Sequence, residues 1–459
     1  MKRRNFLLKI LAGVSLASCG QFDRHIFTLS SKDKKPLEVW WEKPFYPEER
    51  DVVELIFQQA EKRTGVKANI TFIMNDNRQA LSETHNQILG DGFIPDIYYG
   101  GGSLKSLVPN LAKSNKLLAI DDIILPLESK FVDGVINNVT YKDSDGLNEA
   151  IIAVPVSFNG VYIHYWKDLL AAINHLSKSP AIPTDWYGFW DFWKQNQRLA
   201  KEAGFNQTYG IGLPMSANTS DTGNIFNLFL EAYGVTIVDE LGRLVLNQKT
   251  QRERAIKALT DYTSLYTEKY VPPDATQWTD ADNNIRFLNY NTLMTANPTL
   301  SIPGSQALDE TTYYKRMGSV TWPNGLDGKP LKSVLEVRQL VIFNNERSQQ
   351  AKTVVNSMLQ DSSFDKLIEG SQGRYLPVFK SAIESQFWND AKDYHIMAAK
   401  KTVEFFRQPY AVKNKAYSEV IEKRVWSEAI EAVALSTVGV EVAVDQVIFR
   451  IEDILNQVS

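Results

Sequence analysis

Aromatic and hydrogen-bonding side chains recur where predicted strands give way to loops. Trp41, Glu42 and Lys43 close the apolar run that begins at Leu37, and Tyr98 and Tyr99 run into the triplet Gly100-Gly101-Gly102. Trp278 follows Pro272-Pro273, Trp322 precedes Pro323, and Tyr375 precedes Leu376-Pro377. An indole or phenol plane covers the apolar face of a ring-shaped solute, while carboxylates, amides and cations replace the hydrogen bonds its hydroxyls make to water. This is binding chemistry for a polar, ring-faced guest. The same platform with two carboxylates roughly 5–10 Å apart suits glycoside cleavage, and the 54 acidic residues leave such a pair open.

Packing competes for the same side chains. Strand alternation sends Trp40 and Trp41 to opposite faces, which assigns Trp40 to the core and Trp41 to the ligand. Trp278 and Trp322 are open to either role, and Phe189, Trp190, Phe192 and Trp193 fall at helical spacing that favours core. Glu336 and Arg338 share one strand face. They either pair with each other, or Arg338 turns to the ligand, where a guanidinium suits the carboxylate or sulfate of an acidic sugar.

Composition excludes several chemistries. Cys19 is the single cysteine in 459 residues, so neither an intrachain disulfide nor a thiolate metal cluster can form. His25, His85, His164, His175 and His395 show no ligand spacing. The adjacent Tyr98 and Tyr99 suggest capture of a metal complex as an alternative, but strand neighbours face opposite sides. No cofactor is expected. The formal charge of −4 becomes about −8 once residues 1–18, with Lys2, Arg3, Arg4 and Lys9, are removed. Such a chain lacks the general basic face that phosphate-backbone binding needs, and nucleic acid is not an expected partner.

The elements that must position these groups begin after an export signal. Three basic residues precede an apolar run from Phe6 to Leu16, about half the ~20 residues of a membrane-spanning helix. The run ends in Leu16-Ala17-Ser18-Cys19, which resembles the lipobox of bacterial lipoproteins. That likeness implies cleavage after residue 18 and lipidation of Cys19. Arg3-Arg4-Asn5-Phe6-Leu7 also resembles a twin-arginine signal. Residues 19–36 read as a polar tether. Strand and helix patterns then alternate: a strand at Leu37–Trp41, a helix ending at Gly65, a strand from Val66 to Phe72, a second helix, and a strand at Ile97–Tyr99. This is the grammar of an α/β layer with a mostly parallel sheet, whose ligands lie beyond the strands' carboxyl ends. A β-rich stretch crosses Pro155 to Asn159, the pattern restarts, a second extended segment runs from Ser333 to Phe343, and the remainder is helical.

In this order, several landmarks resemble extracellular solute-binding protein family 1 of ABC importers, the maltose-binding-protein-like group. They include Val39 to Lys43, Thr64-Gly65-Val66, Ile94-Pro95-Asp96-Ile97, Leu117 to Asp122, Val154-Pro155, Tyr165 to Leu169, Ile182 to Trp186, Leu293 to Pro298 and Leu376-Pro377-Val378. The resemblance implies an α/β, two-lobed periplasmic-binding-protein fold of type II, its lobes joined by crossing hinge segments. It places residues 37–158 and 299–338 in an N-terminal lobe and 159–298 and 339–459 in a C-terminal lobe. Asn159 then sits where the first crossing meets the cleft, and Asn297 follows a strand ending near Ala296. The implied protein is a monomeric binder and not an enzyme. It would capture a carbohydrate or related polar solute outside the cytoplasmic membrane, anchored by its lipid, and pass it to membrane permease subunits. Two positions depart from the family pattern: Asn291-Thr292 replaces a frequent Gly-Lys, and Val337-Arg338 replaces a frequent glycine pair, putting a long cation near the hinge.

Overall fold

The computed structural model describes residues 35–457, apart from 46, 75–77, 91, 143–148 and 361. Cys19, the signal and the tether up to residue 34 lie outside the described residues.

The opening strand, β1 (Leu37–Glu42), lies between two neighbours in its sheet, and its residues are buried or nearly so along its length. It pairs in parallel with β2 (Ala68–Ile73) and β3 (Ile97–Gly100), setting Trp41 beside Tyr99. The helix Pro47–Thr64 carries Val52, Val53, Ile56, Phe57 and Ala60 on its buried side and ends at Gly65. Gly65 adopts φ +70°, a left-handed cap that glycine takes without steric penalty. Asp96, fully buried, accepts from the Glu38 backbone N–H at 2.8 Å and pairs with Arg347, tying β1 to the late helical segment.

The chain crosses to a second sheet within three residues. β4 (Ala153–Asn159) belongs to the first sheet and β5 (Tyr162–Trp166) to the second, which continues with β6 (Tyr209–Gly212), β7 (Thr292–Asn297) and β8 (Met317–Val320) in the order β8-β5-β7-β6. β9 (Glu336–Ile342) and the short β10 (Leu376–Pro377) return to the first sheet, giving the order β10-β4-β9-β3-β1-β2. β9 runs antiparallel to both β3 and β4, with a register shift between Arg338 and Gln339.

Two hydrophobic cores result. Buried residues from 37 to 158 and from 335 to 399 form one; Val161 and those from 163 to 296, 302 to 322 and 410 to 455 form the other. Tyr162 and Leu300, at the junction, pack into the first. This partition differs from the expected boundaries. Residues 302–322 belong to the second lobe, because β8 pairs with β5. Residues 339–399 belong to the first, because β9 lies in its sheet and the helices Ser348–Gln360 and Ser363–Gly370 pack on Pro47–Thr64. Among the described residues the chain therefore crosses three times: at 159–162, between 320 and 336, and between 399 and 410. Helical periodicity identifies a buried face but not the sheet it covers.

Candidate functional site

The carboxyl end of β1, the turn after β3 and the entry of β9 converge on one polar cluster. Arg338, buried, sends Nη2 to Glu42 Oε2 at 3.0 Å and donates from Nε to the Tyr99 hydroxyl at 3.0 Å. Its guanidinium lies 4.4 Å from the centroid of the Tyr375 ring, within cation–π range. Glu42 also accepts from the Gly101 backbone N–H at 2.8 Å. Burial pushes the Glu42 carboxyl up, but the Arg338 charge and the Gly101 N–H outweigh it and hold it below the usual carboxylate range. The missing side chain of Gly101 makes room for this: a Cβ there would stand 2.4 Å from Arg338 Nη1. Next to it Arg374 pairs with Glu49 at 2.6 Å and lies over Tyr375.

The facing wall comes from the second lobe. Asp221 lies in the first turn of the helix Ser220–Ala232, where a carboxylate complements the positive end of the helix dipole. Its Oδ2 accepts from Asn283 Nδ2 at 3.1 Å. Asp280 Oδ1 accepts from the Ser220 N–H at 2.7 Å, from Ser220 Oγ and from Thr219 Oγ1. Burial, then the charge of Asp280, drives the Asp221 carboxyl well above the usual range, and burial raises Asp280 as well; Arg424 works against both shifts. The buried Asn297 donates to Ser301 Oγ and to the Thr299 carbonyl. A third side is supplied by the C-terminal segment through Arg407, Tyr410, Arg424 and Trp426.

Together these residues enclose a cavity of about 480 Å³. That volume lies in the range of small-molecule sites.

Solved structures share this fold over nearly the whole chain. Maltose-bound MalE3 of T. maritima aligns over 91% of this chain and 100% of its own, with a TM-score of 0.72 and 16% identity. An ABC transporter solute-binding protein of Thermotoga lettingae, bound with alpha-D-tagatose, covers 92% and 100% with a TM-score of 0.73 and 19% identity. UgpB from Mycobacterium tuberculosis, in complex with glycerophosphocholine, covers 93% and 99% with a TM-score of 0.68 and 18% identity. The fold is that of the maltose-binding-protein-like solute-binding proteins. No protein-family profile matches the chain, and no curated protein matches it in sequence.

Within this solute-binding-protein fold, six of the residues expected to meet a ligand line the cavity: Glu42, Lys43, Asn159, Asn297, Arg338 and Tyr375. The other four do not. Trp41 is stacked on Tyr99 at 4.0 Å and meets Phe57 edge-on, so both β1 tryptophans are buried. Tyr99 sits beneath the floor and reaches it only through Arg338. Trp278 and Trp322 are buried in the second core, the latter edge-on to Trp190 and Phe229. For Trp41 and Trp322 the reason is burial against other rings, which removes a large apolar surface from water. Arg338 chooses neither of its two expected roles cleanly, since it lines the cavity but its ion pair is with Glu42, across the sheet.

Sequence reasoning missed Asp221, Asp280, Asn284 and Trp426, which line the cavity. A signal existed for one of them, because Thr219 followed by Asp221 is a helix-start pattern that points an acidic residue to the wall. Trp426 lies in a tail helix, and nothing in its spacing separates a cleft-facing indole from a core one.

Proposed function

We propose that the chain is the extracytoplasmic solute-binding lipoprotein of an ABC importer. It captures a carbohydrate or sugar-like solute between its lobes and delivers it, chemically unchanged, to a membrane permease. The observation that carries the reading is the cavity between two separate hydrophobic cores, lined by carboxylates, amides, guanidinium groups and the rings of Tyr375, Tyr410 and Trp426. Separate cores let the lobes move as bodies, and the three short crossings supply hinges. Ligand contacts made from both walls at once favour the closed form over the open one.

The solved relatives in fold that hold maltose, tagatose or glycerophosphocholine support a polar, hydroxyl-rich guest. Export and lipid anchoring at Cys19 are part of this proposal and rest on the lipobox-like sequence. Among the described residues no helix is long and apolar enough to cross a membrane. A thermal-shift screen of neutral and charged saccharides, followed by calorimetry on the hits, tests the reading: a guest that binds only the folded state raises its melting temperature.

Asp221 and Asp280 favour a second reading, glycoside hydrolysis, because a raised carboxyl beside another carboxyl resembles an acid pair. Recovery of a bound oligosaccharide intact after prolonged incubation, with no release of reducing ends, excludes it.

A further inference from the structure

Several oxygen atoms that face the cavity accept no hydrogen bond among the described residues. Asn284 is 3% exposed and lines the cavity. Its Nδ2 donates to Ser301 Oγ at 3.2 Å, while its Oδ1 has no hydrogen-bond partner among the described residues. Asn159 repeats the arrangement at the first crossing, with Nδ2 given to Glu336 and Oδ1 without a partner. Asp221 and Asp280 each use one carboxylate oxygen toward Asn283 and toward the Thr219-Ser220 turn. Their other oxygens accept no hydrogen bond among the described residues.

Charge points the same way. Asp221 is faced by Asp280, by Glu336 from β9, by the Tyr262 phenol from the helix Lys249–Thr267, and by the cation Arg424, whose Nη1 is given to the Ala217 carbonyl at 2.8 Å. Arg338 and Arg374 are neutralised on the opposite wall by Glu42 and Glu49. The second-lobe wall thus combines unpartnered acceptor oxygens with two neighbouring carboxyl groups, Asp221 and Asp280. A sugar hydroxyl brings one donor and no charge; a primary ammonium brings three donors, a positive charge and no lone pair of its own.

We propose that this wall selects a solute bearing an amino group, an amino sugar, whose ammonium is held by Asp221 and Asp280 with the Asn284 carbonyl as a further acceptor. The inference rests on the carbohydrate reading given above. In the empty cleft the raised Asp221 carboxyl holds a proton into a higher pH range than a free aspartate does. An arriving ammonium displaces that proton, so capture releases protons and tightens as pH rises toward neutrality.

The experiment is calorimetry on the full chain with matched pairs that differ in one substituent: glucosamine against glucose, galactosamine against galactose, and the β-1,4-linked glucosamine disaccharide against cellobiose. At least one amino member is expected to bind about tenfold more tightly than its hydroxyl counterpart near neutral pH. That advantage should shrink at about pH 5, and its measured heat should depend on buffer ionisation enthalpy as proton release requires. Asp221→Asn should abolish the advantage, with its melting curve showing that it is folded; Asn284→Asp, which keeps an acceptor at that position, should preserve it. Equal or tighter binding of every hydroxyl member, or an amino preference that survives Asp221→Asn, overturns the amino-sugar assignment while leaving carbohydrate capture standing. Failure of both members of every pair, and of the wider saccharide screen, removes both.

Discussion

Arg338 and Glu42 meet at 3.0 Å across the first sheet, joining the late return strand to the carboxyl end of the opening one. The pair forms part of the cleft floor, and both partners carry further contacts: Tyr99 and Tyr375 around the cation, the Gly101 N–H on the anion. A guanidinium this enclosed depends on its anion. Glu42→Gln is therefore expected to lower stability by about 2–3 kcal/mol, read from urea unfolding, whereas Glu42→Gln combined with Arg338→Met should recover part of the loss. An unchanged midpoint in the single variant would show that water already screens the pair.

Gly101 leaves the space that Arg338 fills. A Cβ 2.4 Å from Nη1 forces the guanidinium aside, so Gly101→Ala should cost roughly 1–3 kcal/mol. In an Arg338→Ala background the same substitution should be nearly neutral, because the atom it strikes is gone. A full cost in that background would place the clash with the backbone instead.

Asp221 carries a raised carboxyl, and the sign of its effect on stability follows. Below the ordinary aspartate range of about 4 the residue is neutral both folded and unfolded. Above it the unfolded chain ionises while the folded one resists, so the native state binds more protons and stability is lost as pH rises toward the folded value. Asp221→Asn escapes this penalty. Its melting temperature should match the parent near about pH 4 and exceed it increasingly toward about pH 7. A constant difference across that range would remove the electrostatic explanation.

Trp41 and Trp322 are core residues of different lobes. Replacing either with alanine is expected to cost about 3–5 kcal/mol of stability. Because the two lie in separate clusters, their effects should add in the double variant if unfolding stays two-state. A loss confined to saccharide affinity, with unfolding unaltered, would return them to the ligand.

Cys19 tests the proposed anchor. In a native host the parent chain should partition with membranes and the Cys19→Ser variant should not, since one thiol is the only attachment point for the lipid. Equal partitioning of both would point to another mode of attachment.

Strand and helix order was legible because it depends on local chemistry. The period-two run before Phe72, the glycine stop at Gly65 and the helical face ending at Leu455 are each written within a few residues. Glu42 and Lys43 followed from the rule that polar groups just past strand ends face a ligand, Asn159 and Asn297 from the family likeness, Arg338 from its departure from the family's glycine pair, and Tyr375 from its place before Leu376-Pro377. The tryptophans misled, because an indole's environment depends on what the neighbouring elements bring beside it. Trp41 is buried since the β1–β3 register sets Tyr99 against it, and Trp322 since Trp190 and Phe229 arrive from other helices.

The sequence by itself determined the alternating α/β elements, the short hop between lobes near Asn159 and the supply of polar groups at strand ends, because periodicity and turn chemistry act over a few residues. Only the tertiary structure decided that β8 joins the second sheet, that the helices after β9 cover the first, that Glu42 and not Glu336 holds Arg338, and that Asp221 and Asp280 share one wall. Each of those outcomes joins residues tens to hundreds of positions apart. Their pairing is set by burial and charge in three dimensions, which no local pattern records.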